Sequence, residues 1–92
     1  MVKNFNTVTL VGKVIRINSY VDYENVTYTE VKLRVNKDTF IIKASNKLAE
    51  IIRDYSKKGS IILIKGTLIN TEFEGVAVEA SSYNIIQDCE VK

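Results

Sequence analysis

Apolar and polar residues alternate with a period of two along most of this chain. In "TVTLVGKV", Val8, Leu10, Gly12 and Val14 fall on one side and Thr7, Thr9, Val11 and Lys13 on the other, the pattern of a strand with one face inward. Gly12 has no side chain to pack and marks a bend or a close backbone approach in a curling sheet. "NSYVDYEN" breaks the alternation and reads as a loop. "VTYTEVKLRVN" resumes it, with Val31, Leu33 and Val35 on one face and Glu30, Lys32 and Arg34 on the other. Asn36, Lys37 and Asp38 make a tight turn into "TFIIKAS", where Phe40, Ile42 and Ala44 face inward and Thr39, Ile41, Lys43 and Ser45 outward. "SIILIKGTLI" and "VAVEASSYNII" are two further strands, joined by "NTEFEG", whose Gly75 suits a hairpin turn. Phe40 and Tyr83 are assigned to the core or its edge.

The period changes once. Over "SNKLAEIIRDYSKKGS", Leu48, Ile51, Ile52 and Tyr55 recur at helical spacing, while Lys47, Glu50, Arg53, Asp54 and Lys57 take the opposite face. Ser45 or Asn46 can cap the start, Lys57 and Lys58 complement the negative end, and Gly59 can adopt the left-handed conformation that stops the helix. The order β-β-β-α-β-β predicts an all-β fold, an OB-fold: a five-stranded Greek-key barrel with one α-helix between strands three and four that plugs the open end. Residues 1–88 are expected to form this single domain and 89–92 a short C-terminal end. The helix is expected to be structural, its four apolar side chains completing the core.

Ninety-two residues suffice for one core without metals or disulfides. No apolar run approaches the length of a bilayer span, and the first residues alternate rather than forming a secretory signal core, so a cytoplasmic protein without membrane contact is expected. Cys89 is the only cysteine and there is no histidine, which excludes an internal disulfide and leaves no basis for the usual metal or triad chemistry. The carboxylates are scattered, with no pair that can be placed in one pocket. No catalytic activity, cofactor or metal is therefore expected. The net charge of +2 is uneven: eleven Lys and Arg face six Asp and Glu up to Lys58, against two and five from Gly59 onward. Such asymmetry is compatible with a phosphate-binding face.

Two stretches carry a family resemblance. "NTVTLVGKV" resembles the opening strand of the bacterial single-stranded-DNA-binding proteins, and "KLAEIIRDYSKKGSIILIKGTL" resembles their helix and following strand. The matching positions in the second are Lys47, Leu48, Ala49, Glu50, Tyr55, Lys57, Lys58, Gly59, Ser60, Gly66 and Leu68. The resemblance implies binding of single-stranded DNA, largely independent of sequence, in replication, recombination or repair. Phosphates need Lys and Arg, and any base offers a ring face to an aromatic side chain. Lys32, Arg34 and Lys43 are expected side by side on the outward faces of strands two and three, with Lys37 at their turn and Lys13 on strand one. Family members stack bases on strand three, where the outward Thr39 and Ser45 cannot stack. Phe73, between strands four and five, matches a stacking aromatic of the family, and Tyr20, Tyr23 and Tyr28 could add ring surfaces on the rim.

The loop after strand two reads as a bare hairpin, and with "QDCEVK" soon after strand five the chain is expected to lack the acidic-tipped tail by which the family recruits replication and repair enzymes. This short form resembles primosomal replication protein N and compact relatives on phages and mobile elements. Replication proteins remain candidate partners. Family members pair through their first strands, and the outward Val11 and Ile15, with the doubly apolar "IILI" of residues 61–64, predict at least a homodimer or homotetramer. Two alternatives stand beside DNA binding: a protein-interaction barrel of primosome type, and RNA binding.

Overall fold

The computed structural model describes residues 6–87. Five strands, β1 (Val8–Val21), β2 (Thr27–Val35), β3 (Asp38–Ser45), β4 (Ile61–Thr71) and β5 (Gly75–Gln87), close into a barrel in the order β1-β2-β3-β5-β4, with α1 (Asn46–Tyr55) between β3 and β4. Neighbouring strands are antiparallel except for β3 and β5. This is the OB-fold expected from the order of elements.

β1 serves both edges of the closure. Its first half pairs with β4, from Val8 opposite Gly66 to Lys13 opposite Ile61, and its second half pairs with β2, from Lys13 opposite Arg34 to Val21 opposite Thr27. The changeover requires a close backbone approach at Gly12, where an added Cβ would overlap the Arg34 carbonyl oxygen. Asn18–Val21, read from sequence as loop, continue this strand, and the true turn is the shorter segment 22–26. There the Asp22 carboxylate accepts hydrogen bonds from the amides of Glu24 (2.9 Å) and Val26 (3.0 Å), satisfying the backbone where pairing stops.

The core follows the alternation. Val14, Val31, Leu33, Ile42, Ala44, Ile62, Ile64 and Val78 are buried, with Phe40 and Tyr83 packed at the edge. α1 closes the barrel through Ala49 and Ile52, both fully buried, while Leu48 and Ile51 are half-buried. The expected helix face needs two corrections. Tyr55 is 68% exposed, because the apolar stripe is narrower than the i to i+7 spacing suggested and is centred on Ala49. The helix also ends at Tyr55 rather than near Gly59: the Ser56 amide makes the last helical bond to Ile52, and Gly59 (φ 98°) serves the following turn, donating to the Val14 carbonyl at 2.8 Å. Ser45 occupies the N-cap position, but its side chain caps no amide. What orients α1 is the Thr29 hydroxyl, which donates to the Ala49 carbonyl at 2.8 Å from inside the barrel, together with a hydroxyl pair between Ser56 and Tyr83.

Candidate nucleic-acid interface

The outward faces of β1, β2 and β3 form one continuous surface whose rows can be read from the register. The first row is Lys13, Arg34 and Thr39; then come Arg16, Lys32 and Ile41; then Asn18, Glu30 and Lys43; and last Tyr20, Tyr28 and Ser45. The surface therefore changes character along the strands. Lys13, Arg34, Arg16 and Lys32 occupy one half, and Glu30, Lys43 and the tyrosine rings the other.

In the cationic half, Lys13 lies opposite Arg34 and Arg16 opposite Lys32. Directly opposed residues on one sheet face stand about 5 Å apart at Cβ, and like charges there repel. Among the described residues none of the four takes part in an ion pair. Lys37 sits in the turn of the β2–β3 hairpin at the same end, where Asn36 adopts φ 57°. The cationic surface continues into an open groove of about 590 Å³ between β1 and the end of α1, lined by Arg16, Lys32, Lys57, Lys58 and Arg53, of which Arg53 is engaged by Asp54 at 2.9 Å.

Arg16 has no place in the strict alternation of β1, which would point it inward. A β-bulge between Val14 and Arg16 takes up Ile15 as an extra residue, turning Arg16 outward and Ile17 inward. The same bulge leaves Ile15 half-buried rather than on the outer face expected for it. The signal was present in "KVIRIN": an arginine at an inward position between two isoleucines would be a buried unpaired charge.

Lys43 stands apart from these cations. Its ammonium contacts Glu74 at 2.6 Å and Glu30 at 3.2 Å. The hydrogen bond to Glu74 is the main cause that raises its proton affinity above the ordinary lysine value, against the opposing effect of burial. Its charge is compensated, and its position does not extend the row formed by Lys32 and Arg34. What it does hold is the β4–β5 turn, bringing Glu74 and the neighbouring Phe73, 90% exposed, beside the sheet.

The rings form a different arrangement from the one strand three would have provided. Tyr20 and Tyr28 stack across β1 and β2 with centroids 5.3 Å apart and planes 24° from parallel. Partial burial and then the Asp22 carboxylate raise the Tyr28 hydroxyl above its ordinary value. Tyr23 is 95% exposed in the β1–β2 turn.

The closed five-stranded barrel with its single helix has counterparts among solved structures. The chain superposes on the wild-type single-stranded DNA binding protein from Thermus aquaticus with a TM-score of 0.83 at 24% identity, and on a deletion mutant of that protein with 0.81 at 25%. The fold is that of the single-stranded DNA binding proteins. The SSB domain of a Synechococcus protein gives 0.79 at 10% identity, and the mitochondrial single-stranded DNA binding protein from S. cerevisiae 0.75 at 16%, each covered over nearly its whole length, 98% and 99%. The likeness spans 96% of this chain but 43% of the Thermus aquaticus proteins. No protein family profile and no curated protein matches the sequence. The structural likeness agrees with the resemblance carried by the opening strand and by the helix-and-strand stretch that ends in Gly66 and Leu68. At Gly66 the reason is steric, since an added Cβ would overlap the Glu79 carbonyl oxygen.

No helix among the described residues is long and apolar enough to cross a membrane. Cys89 lies outside the described residues.

Proposed function

We propose that this chain binds single-stranded DNA without catalysis and largely without regard to sequence, in replication, recombination or repair. The observation that carries the reading is the block of Lys13, Arg34, Arg16 and Lys32: two like-charged cross-strand pairs, side by side and unneutralised by described residues. Such a block is unfavourable alone and is stabilised by an anion that spans it, as consecutive phosphates do. Lys37 extends the track at one end, and Lys57 and Lys58 carry it toward the groove beside α1. Tyr20, Tyr23 and Phe73 supply ring faces that any base can use. Lys43 acts here by positioning the β4–β5 turn, not as a phosphate ligand. The Thermus aquaticus and mitochondrial neighbours, named as single-stranded DNA binding proteins, support the same reading.

Titration of a fluorescent oligo(dT) tests it. Binding at low salt is expected, and Phe73→Ala should weaken it by about 1–3 kcal/mol, the range for one base–aromatic stack. Absence of binding at low salt would favour the protein-interaction reading instead.

A further inference from the structure

The acidic and aromatic half of the face encloses a pocket of about 240 Å³, lined by Tyr20, Tyr28, Lys43, Ser45, Ile69 and Glu79. Its charge is unlike that of the phosphate track. Lys43 is already committed to Glu30 and Glu74. Glu79, exposed on β5 opposite Thr67 and in register with Lys43, enters no ion pair among the described residues. A bare carboxylate beside a bound polyanion is repelled by it, and only hydrogen-bond donors from the ligand offset that cost. A phosphate or sugar-phosphate backbone offers none of sufficient strength. Base edges do.

Resting on the function proposed above, we infer that this pocket takes one base against the tyrosine rings and that Glu79 makes it select guanine over thymine. A carboxylate is an acceptor only. Guanine presents two adjacent donors, N1–H and the N2 amine, which match its two oxygens. Cytosine and adenine each present one exocyclic amine, giving a single bond of the kind glutamate makes to cytosine N4. Thymine presents one N3–H between two carbonyl oxygens, both of which the carboxylate repels. The phosphate track remains indifferent to sequence, so the preference belongs to one position in the bound strand.

Two labelled oligonucleotides of equal length test this, one all-thymine and one with a single central dG, titrated at the same salt concentration. The wild-type chain is expected to bind the dG-containing strand about fivefold tighter or more, the lower end of a bidentate base contact. Glu79→Gln exchanges one acceptor for a donor and so complements thymine's N3–H and O4. The ratio of the two affinities should fall to unity or invert in that variant, and circular dichroism confirms its fold. Equal wild-type affinities with firm binding to both strands would overturn the guanine selection while leaving the general function standing. An unchanged ratio in Glu79→Gln would remove Glu79 from it. Binding to neither strand would overturn the parent function and the pocket together.

Discussion

Arg16 reaches solvent through one inserted residue. Were Ile15 not taken up as a bulge, the guanidinium would point into a barrel lined by Val14, Val31 and Leu33. Period-two reading therefore placed Lys13, Lys32 and Arg34 correctly on the outward face and overlooked the cation that completes their block, because alternation carries no record of where a bulge falls. The helix shows the complementary error. Ile52 is fully buried and Tyr55 largely exposed, although both satisfy the same helical spacing. Ile52→Ala should cost about 2–5 kcal/mol in chemical denaturation, as for other buried large-to-small changes. Tyr55→Ala should stay within about 0.5 kcal/mol, as exposed substitutions usually do. A large loss at Tyr55 would mean that the tyrosine packs against something after all.

At the scale of elements, the order of strands and the single helix were legible because each segment kept one period long enough to be read. The β1–β2 connection was not. Asn18, Ser19, Tyr20 and Val21 look like loop residues by composition, but they pair with Glu30, Thr29, Tyr28 and Thr27, and β3 continues the same sheet opposite residues 28–30. The tyrosine stack exists only because of that pairing. The β4–β5 turn is closed locally by the Thr71 hydroxyl, which donates to the Gly75 carbonyl at 2.8 Å and accepts from the Glu74 amide at 3.0 Å, and is tied to β3 by a contact that no local pattern reports, the bridge from Lys43 to Glu74. Glu74→Gln should release this turn, seen as lower backbone order parameters over residues 72–74 by NMR relaxation with the barrel strands unchanged. The pH dependence has a definite sign. A lysine whose proton affinity is raised by folding stabilises the folded state fully below its unfolded value and loses that contribution as pH rises through the folded one. On the lysine side the bridge therefore persists at neutral pH and is lost in strongly alkaline solution. Unchanged order parameters in Glu74→Gln would contradict its role as the tether.

For the whole molecule, the barrel separates two kinds of surface along one sheet, a cationic track and a ring-lined, acidic region, which the proposed function assigns to phosphates and to bases. The apolar positions that adjoin the track bear on assembly. Val11, 47% exposed, pairs in register with half-buried Leu63 on the outer side of β1 and β4. Light scattering at micromolar concentration should give at least a dimer through this side; a strict monomer would contradict it. Most direct for the central claim is the salt dependence of oligo(dT) affinity in the wild-type chain, Arg16→Ala and Lys43→Ala. If phosphates lie along Lys13, Arg16, Lys32 and Arg34, Arg16→Ala loses about 0.7 from the slope of log affinity against log salt, the share of one contact to a single strand. Lys43→Ala, its charge already matched by Glu30 and Glu74, keeps the wild-type slope. An undiminished slope in Arg16→Ala together with a reduced one in Lys43→Ala would place the phosphates elsewhere and contradict the account.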